Sequence, residues 1–383
     1  MHATDLRVAL FSGNYNYVRD GANQTLNLLM GHALAYGAAV RVYSPTTATP
    51  AFAPVGDLVS VPSIAFPVGG RGEYRIALGL PKTTRADLAA FAPNVVHVSA
   101  PDFLGHAALA WARQRKLPTL ASFHTRFETY FGYYGIGFIQ PMVIRRMVRF
   151  YNGFDRVMTP GQSTADLLRG YGVTAPIGIW SRGVNHERFS PARRDMAWRR
   201  GLGIADDELA VGFLGRVVLE KGLDIFAEVM TALKARGGRV RALIVGEGPA
   251  QKWFADRVPD AVFAGYQTGD HLARAVASMD VFFNPSVTET FGNVTLEAMA
   301  AGVPVVAARA TGTVDLVEDG VNGLLVPPRD VAAYAEAIGR YARDDMLRLA
   351  AGAAGRAKAA THRWDGINDA VMRAYQDILA ARR

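Results

Sequence analysis

The sequence predicts an α/β protein built from two doubly wound domains, each with a parallel β-sheet. The chain has 383 residues, which is too long for one ordinary hydrophobic core. Short apolar runs alternate with helix-like segments, a pattern typical of parallel sheets covered on both faces. The alternation restarts near residue 209, so we expect two sheets rather than one.

The first half predicts one sheet. Apolar runs indicate strands at residues 6–11, 39–44, 94–99, 118–123 and 156–160, and helical spacing indicates helices at 22–36, 103–114 and 163–171. The segment from Thr46 to Lys82 is rich in Pro and Gly and predicts long loops near the mouth of a cleft between the domains.

The second half repeats the pattern. Strands are predicted at residues 209–215, 241–248, 261–266, 280–286, 304–308 and 323–327, with helices at 223–236, 269–278 and 293–301. The Gly-, Pro- and Asn-containing stretch from Trp180 to Pro191 reads as the link. We therefore expect an N-terminal domain at 1–180, a C-terminal domain at 181–360 and a final amphipathic helix at 361–383, with ligands at the carboxyl ends of the strands.

Composition and charge narrow the class of protein. The chain has no cysteine, which excludes disulfides and thiolate metal sites and fits a reducing cytosol. The start of the chain does not resemble a signal peptide, and no apolar run is long enough to cross a bilayer. Residues 1–180 hold 16 Lys and Arg against 9 Asp and Glu, whereas residues 181–383 hold 26 against 25. This excess indicates either solvated arginines or a surface that meets an anionic partner.

The stretch ETFGNVTLEAMAAGVP carries two carboxylates, Glu289 and Glu297, on either side of Gly292. It follows a predicted strand, and a helix is predicted to begin near Asn293. Gly292 lets the backbone approach a ligand closely, and the N–H groups of a helix start favour an anion. Carboxylates beside an anion site suit hydroxyl groups. A sugar joined by a diphosphate to a ribose offers both.

The longer run SVTETFGNVTLEAMAAGVPVVA closely resembles the donor-binding motif of retaining glycosyltransferases of the GT-B family four. GFLGRVVLEKGLD, LIVGEGP and WSRGVNHERFSP resemble further segments of that family. The resemblance implies a GT-B fold, with two Rossmann-like domains facing across a cleft and a C-terminal helix able to pack back on the N-terminal domain. It also implies that the acceptor binds to the N-terminal domain and the nucleotide sugar to the C-terminal domain.

The resemblance assigns roles at the donor. Arg216 and Lys221 would hold the diphosphate and stabilise its charge as it leaves. Glu289 would contact hydroxyls of the donor sugar, and Glu297 those of the ribose. The remaining contacts would come from backbone amides: those of Phe291, Gly292 and Asn293 for the sugar and phosphates, and the backbone near 265–268 for the base.

The resemblance also points to residues of the first half. His124, in FHT, would lie against the donor sugar at the reaction centre, although a lone histidine is more often structural. Gly21, and less directly Ala22, would lie beside the phosphates. Arg182 is left open between approaching the phosphates and tying the domains together. FSGNYN lacks the glycine pattern of a dinucleotide site.

No cofactor and no metal are expected. Acidic and histidine side chains do not cluster at ligand spacing, and the Asp-x-Asp motif of metal-dependent transferases is absent. Arg216, Lys221 and a helix start would neutralise the diphosphate instead. The family implies retention of anomeric configuration through a front-face reaction, in which the departing phosphate takes the proton of the acceptor.

The stretch at 127–154 combines aromatic residues with Arg145, Arg146 and Arg149. Read as a helix from Pro141, it is apolar on one side and basic on another, which suits either an anionic bilayer or simple packing with the arginines in water. We expect a peripheral enzyme at the cytoplasmic face that moves a hexose or uronic acid from a UDP- or GDP-linked donor to a lipid, similar to mannosyl, sulfoquinovosyl or glucuronosyl branches. Nucleic acid is not an expected partner. A soluble or polysaccharide acceptor, a nucleotide-sugar epimerase and a sugar-binding receptor remain the alternatives.

Overall fold

A computed structural model describes residues 5–18, 20–65, 74–129 and 137–382. The chain divides into two compact units. The N-terminal unit comprises Met1–Arg182 with Trp364–Arg383, and the C-terminal unit comprises Gly183–Arg363.

The described part of the N-terminal unit contains a seven-stranded parallel sheet of order β3-β2-β1-β6-β7-β8-β9. Its strands are β1 (Arg7–Phe11), β2 (Ala39–Ser44), β3 (Asp57–Ser60), β6 (Val95–Val98), β7 (Thr119–Ser122), β8 (Arg156–Thr159) and β9 (Ile177–Ile179). Its helices are α1 (Gly21–Ala35), α2 (Lys82–Phe91), α3 (Phe103–Gln114), α4 (Gln140–Tyr151), α5 (Gln162–Tyr171) and, from the end of the chain, α14 (Trp364–Ala380). Apart from β3, β9 and α2, these elements coincide with the predicted ones to within three residues at each end.

Both faces of this sheet are covered, as continuous apolar strands require. On one face, residues of α3 and α4 such as Trp111 and Phe150 join the buried core. On the other face, α1 contributes Leu29 and α14 contributes Val371 and Tyr375. The C-terminal helix therefore packs on the N-terminal unit.

The segment between Thr46 and Lys82 is not only loop, and that prediction was wrong in part. It contains β3, which extends the sheet, and β4 (Ser63–Ala65) paired antiparallel with β5 (Arg75–Ala77). These strands have three or four residues and lie at edges, so they lack the long apolar run that marks a buried strand. Residues 66–73 lie outside the described part of the segment.

The C-terminal unit contains a six-stranded parallel sheet of order β12-β11-β10-β13-β14-β15. Its strands are β10 (Leu209–Leu214), β11 (Val240–Val245), β12 (Val262–Gly265), β13 (Val281–Asn284), β14 (Val305–Ala308) and β15 (Gly323–Val326). Its helices are α6 (Met196–Gly201), α7 (Leu223–Ala235), α8 (Gln251–Ala255), α9 (Gly269–Ala277), α10 (Asn293–Ala300), α11 (Thr313–Leu316), α12 (Val331–Arg343) and α13 (Asp345–Ala359). Every predicted strand of this half is present.

Two apolar layers enclose the second sheet. Phe226 of α7 and Ile338 of α12 lie in the core of one face, and Val276 of α9 and Met299 of α10 lie in the core of the other. The sequence did not predict helices α6, α8, α11, α12 and α13. Within the described residues, no helix combines the length and the apolar character needed to cross a bilayer.

Candidate functional site

The strand order reverses between β10 and β13 in the C-terminal unit. From β10 the chain proceeds outward through β11 and β12, and then returns to build β13, β14 and β15 on the other side. Ligands of open α/β sheets bind at such a reversal, beyond the carboxyl ends of the strands. The loop at 215–222 follows β10 and the loop at 285–292 follows β13, so both flank this point.

Glycines let these loops approach one another closely. Gly222 has a φ of +77°, and a Cβ there would lie 3.0 Å from the carbonyl oxygen of Pro285. A Cβ on Gly246 would overlap the carbonyl oxygen of Gly215. Gly312 has a φ of +84°, and its Cβ would lie 2.8 Å from the amide nitrogen of Phe291. The shape of this edge therefore depends on backbone packed against backbone.

Lys221 and Glu289 come together across this point. Lys221 Nζ lies 2.7 Å from Glu289 Oε1, and the two side chains are 32% and 13% exposed. Arg216 is exposed in the same loop as Lys221. The negative charge of Glu289 offsets the positive charge of Lys221. Arg216, Lys221 and Glu289 together therefore carry a net charge of +1 and not +2.

Glu297 lies on the second turn of α10. Burial raises the pKa of this carboxyl to about 7, and the positive charge of Arg188 opposes that rise. The helix begins at Asn293, directly after Gly292, which has a φ of +95°. Phe291 is buried beside them. The structure thus brings Glu289 into contact with Lys221 and places Glu297 on the helix that follows the same loop.

The N-terminal sheet reverses between β1 and β6. There Gly13 leaves no room for a side chain, because a Cβ would overlap Oδ2 of Asp102. Asp102 caps α3 by accepting a 2.7 Å hydrogen bond from the amide of Gly105, and burial raises its pKa to about 6. Neither residue was predicted from the sequence, although Asp102 stands after a predicted strand and before an apolar helix, as a capping residue does. Gly21 lies nearby in sequence as the first residue of α1.

His124 lies two residues beyond β7, and both of its ring nitrogens have partners. Nε2 lies 2.8 Å from Ser122 Oγ, and Nδ1 lies 2.9 Å from Nη2 of Arg182. Burial, and then the charge of Arg182, lower the pKa of His124 well below its ordinary value, so the ring is neutral at pH 7.

Arg182 is itself buried, and its Nη1 donates to the carbonyl oxygens of Trp180 and Ser181 at 2.6 and 3.0 Å. Burial lowers the pKa of Arg182 to about 9. Neither of the two roles that the sequence left open for Arg182, a contact with the phosphates or a link between the domains, included this contact with His124.

Helix α4 carries the predicted basic surface. Met147, Phe150 and Tyr151 are buried, whereas Arg145, Arg146 and Arg149 are exposed. Phe138 and Met142, about two turns and one turn before Arg145, are 82% and 45% exposed. Residues 130–136 of the predicted aromatic stretch lie outside the described part of the chain. Among the described residues, no three His, Asp or Glu side chains are arranged to hold a metal ion.

Comparisons with known proteins decide the family. Residues 208–344 match the family described as glycosyl transferases group 1, and residues 19–188 match glycosyltransferase family 4. The chain is 31% identical to a GDP-mannose-dependent alpha-mannosyltransferase of Mycolicibacterium smegmatis, over 98% of this chain and 99% of that protein. The chain belongs to glycosyltransferase family 4.

Other relatives of this family 4 chain agree. It is 31% identical to a GDP-mannose-dependent alpha-mannosyltransferase of Corynebacterium glutamicum, over 85% of this chain and 76% of that protein. It is 32% identical to the sulfoquinovosyl transferase SQD2 of Arabidopsis thaliana, over 79% and 60%. The protein is therefore a hexosyltransferase that uses a nucleotide sugar, as the resemblance implied.

Solved structures agree on the fold of this family 4 chain. A sucrose-phosphate synthase of Thermosynechococcus elongatus superposes with a TM-score of 0.80 at 22% identity, covering 98% of this chain and 100% of that one. Anabaena HepE in complex with UDP-glucose gives 0.74 at 19% identity, covering 97% and 99%. The predicted GT-B fold is confirmed.

Proposed function

We propose that the protein transfers mannose from GDP-mannose to a hydroxyl of a membrane lipid at the cytoplasmic face, without a metal ion and with retention of anomeric configuration. The proposal of a lipid acceptor rests on the exposed apolar and basic residues of α4 and of the turn before it. The names of the relatives from Mycolicibacterium smegmatis and Corynebacterium glutamicum support the donor. A UDP-linked donor, as in the HepE complex, is the competing possibility for the nucleotide.

The donor would lie at the reversal point of the C-terminal sheet. Lys221 would turn from Glu289 toward the diphosphate, leaving the Glu289 carboxylate to accept from sugar hydroxyls. Arg216 and the first amides of α10 would add positive potential. Ionised Glu297 would accept from the ribose hydroxyls. These groups stabilise the charge of the leaving diphosphate, which is the work that a metal ion does in other transferases.

His124 would face the donor sugar as a neutral group. A charged imidazolium beside an oxocarbenium-like sugar would oppose the developing positive charge, so neutrality suits this reaction. The acceptor hydroxyl would attack from the side of the leaving phosphate, and its proton would pass to a phosphate oxygen. No protein nucleophile is needed in that route, and the anomeric configuration is kept.

The acceptor surface would be formed by α4 and the turn before it. Phe138 and Met142 would enter the interface between headgroups and acyl chains, and Arg145, Arg146 and Arg149 would meet anionic headgroups. Each such arginine contributes about 1 kcal/mol of attraction to an anionic surface, so reversing three of them removes more than about 3 kcal/mol, roughly a hundredfold in partitioning.

A flotation experiment tests this acceptor surface. Vesicles of phosphatidylcholine with one-third phosphatidylglycerol are mixed with wild type and with the triple variant Arg145→Glu, Arg146→Glu, Arg149→Glu. The control triple variant, Arg340→Glu, Lys358→Glu, Arg363→Glu, changes net charge equally at exposed residues of the C-terminal unit. We expect wild type and control to float and the α4 variant to stay below. Equal flotation of the two variants would point to a soluble acceptor instead.

Donor identity is tested by thermal-shift measurements with GDP and UDP at equal concentrations, in buffer with a chelator. A nucleotide at 100 times its dissociation constant stabilises the folded protein by about 2.7 kcal/mol. GDP alone should raise the melting temperature of wild type, and Glu297→Ala should lose the shift. A shift only with UDP would show that the donor is UDP-linked. A shift only with added metal would show that nucleotide binding depends on a metal ion.

A further inference from the structure

A buried chain of hydrogen bonds leads from His124 to helix α14. Ser122 Oγ, which contacts His124 Nε2, also lies 2.9 Å from Nε2 of His97 on β6. His97 Nδ1 lies 2.6 Å from the hydroxyl of Tyr375 on α14. His97, Ser122 and Tyr375 are all fully buried. Three elements of the N-terminal unit, β6, β7 and α14, thus contribute one residue each.

Arg182 fixes the direction of the first hydrogen bond in this chain. A guanidinium only donates, so Nδ1 of His124 must accept and the proton of the neutral ring must lie on Nε2. Nε2–H of His124 then donates to Ser122 Oγ. Beyond Ser122 the contacts fit two directions: Ser122 donates to His97 Nε2 and His97 Nδ1–H donates to Tyr375 Oη, or His97 Nε2–H donates to Ser122 and the Tyr375 hydroxyl donates to His97 Nδ1.

Trp180 and α14 hold the same rings from the side. Trp180 packs edge-on against His124 and His97, with ring centroids 5.4 and 6.1 Å apart. Its indole Nε1 donates at 3.2 Å to Oδ1 of Asn368, which lies on α14 two turns before Tyr375. The helix thus anchors both the hydrogen-bond chain and the aromatic wall beside it.

We propose that Ser122, His97 and Tyr375 are positioning residues for sugar transfer, which fix the ring orientation of His124 while Arg182 sets its Nε2–H tautomer. This inference rests on the proposed position of His124 against the donor sugar. All three side chains are buried and act through His124. They act because a neutral imidazole that could rotate would present a different edge to the sugar. Displacements of about 1 Å cost roughly a hundredfold in rate.

The main test uses Ser122→Ala, with Thr119→Ala as its matched control. Thr119 lies on the same strand, is also buried, and bonds Asp155 rather than the histidines. We expect Ser122→Ala to lower kcat roughly tenfold to hundredfold, with little change in KM for the donor. Thr119→Ala should keep the kcat of wild type. Long-range ¹⁵N spectra of labelled imidazoles should show His124 protonated at Nε2 in both proteins, with the Nε2 signal shifted and broadened in Ser122→Ala because the N–H loses its acceptor.

A second variant tests the same proposal if Ser122→Ala does not fold. Tyr375→Phe removes one oxygen and keeps the ring; its control, Tyr43→Phe, removes another buried hydroxyl of the same unit, which bonds Asp87. Tyr375→Phe should lower kcat and alter the ¹⁵N signals of His97, and Tyr43→Phe should do neither.

Comparison with His124→Ala separates the two levels of the argument. If His124→Ala abolishes transfer while Ser122→Ala and Tyr375→Phe match their controls, the positioning role is overturned and the proposed function stands. If His124→Ala transfers as wild type does, the role of His124 falls, and the positioning role falls with it.

Discussion

The two units share a doubly wound parallel sheet, yet they build their candidate sites in different ways. In the C-terminal unit, glycines bring loop backbones together and opposite charges meet in the Lys221–Glu289 pair. In the N-terminal unit, buried side chains around His124 form a hydrogen-bonded chain of neutral rings and a hydroxyl. One site is shaped by the main chain and the other by side chains. The two should therefore respond to different substitutions and to pH with different sign.

The largest loss of stability is expected from adding one carbon to a glycine at the candidate site of the C-terminal unit, where loop backbones pack against each other. Gly246→Ala places a Cβ against the carbonyl of Gly215 at a φ of +130°, a conformation that L side chains rarely adopt. We expect a loss of about 3 kcal/mol or more in the free energy of unfolding of the C-terminal unit. Urea unfolding followed by circular dichroism measures it.

Gly269→Ala is the control for backbone conformation alone. Gly269 has a φ of +57° with no atom near its Cβ position, so this variant should lose only about 1 kcal/mol. Equal losses in the two variants would mean that close backbone approach does not shape the site.

The side-chain site should weaken in acid. Burial lowers the pKa of His97 to about 3, so below about pH 6.5 the unfolded chain binds a proton that the folded protein does not. Stability from this residue is complete above 6.5 and falls by about 1.4 kcal/mol per pH unit as pH decreases from there toward 3.

Urea unfolding of wild type and His97→Gln between pH 7.5 and 5 measures this slope. Asp102 and Glu297, whose pKa values are raised, act with the opposite sign but are present in both proteins. The difference between the two slopes therefore reports His97. Parallel slopes would show that His97 is not a buried neutral ring.

The charge of Glu297 should set the pH dependence of nucleotide binding. With its pKa near 7, the carboxyl is largely protonated at pH 6, and a ribose that needs the ionised form then binds more weakly. Affinity for the nucleotide should fall by up to about tenfold per pH unit below 7. Isothermal titration between pH 8 and 5.5 measures the fall.

Glu297→Gln serves as the matched variant, because it keeps the shape and an acceptor oxygen but cannot titrate. It should bind with a shallower pH dependence that reflects only the phosphates of the nucleotide. A slope as steep as that of wild type would assign the effect to the phosphates and not to Glu297.

The sequence predicted the two sites unequally, and the reason is the distance along the chain between their parts. Glu289, Gly292 and Glu297 lie within nine residues, so one continuous motif displays them, and the buried strands around them have clear apolar runs. The hydrogen-bonded chain that begins at His124 includes His97 and Tyr375, which are 278 residues apart in the sequence. No local pattern connects them, because only the folded helix α14 brings Tyr375 to β6. The edge strands β3 and β9 were missed for a different reason. They are short and their residues are not buried, so the sequence has no apolar run there that would distinguish them from loops.

The position of α14 has a consequence for how the protein is made. This helix is synthesised after the C-terminal unit, yet Val371, Tyr375 and Ile378 belong to the core of the N-terminal unit. While the ribosome is still adding the C-terminal unit, one face of the N-terminal sheet lacks α14. The N-terminal unit, although translated before the C-terminal unit, therefore completes its core only after it, and the exposed apolar face is the surface that a chaperone would meet on the nascent chain.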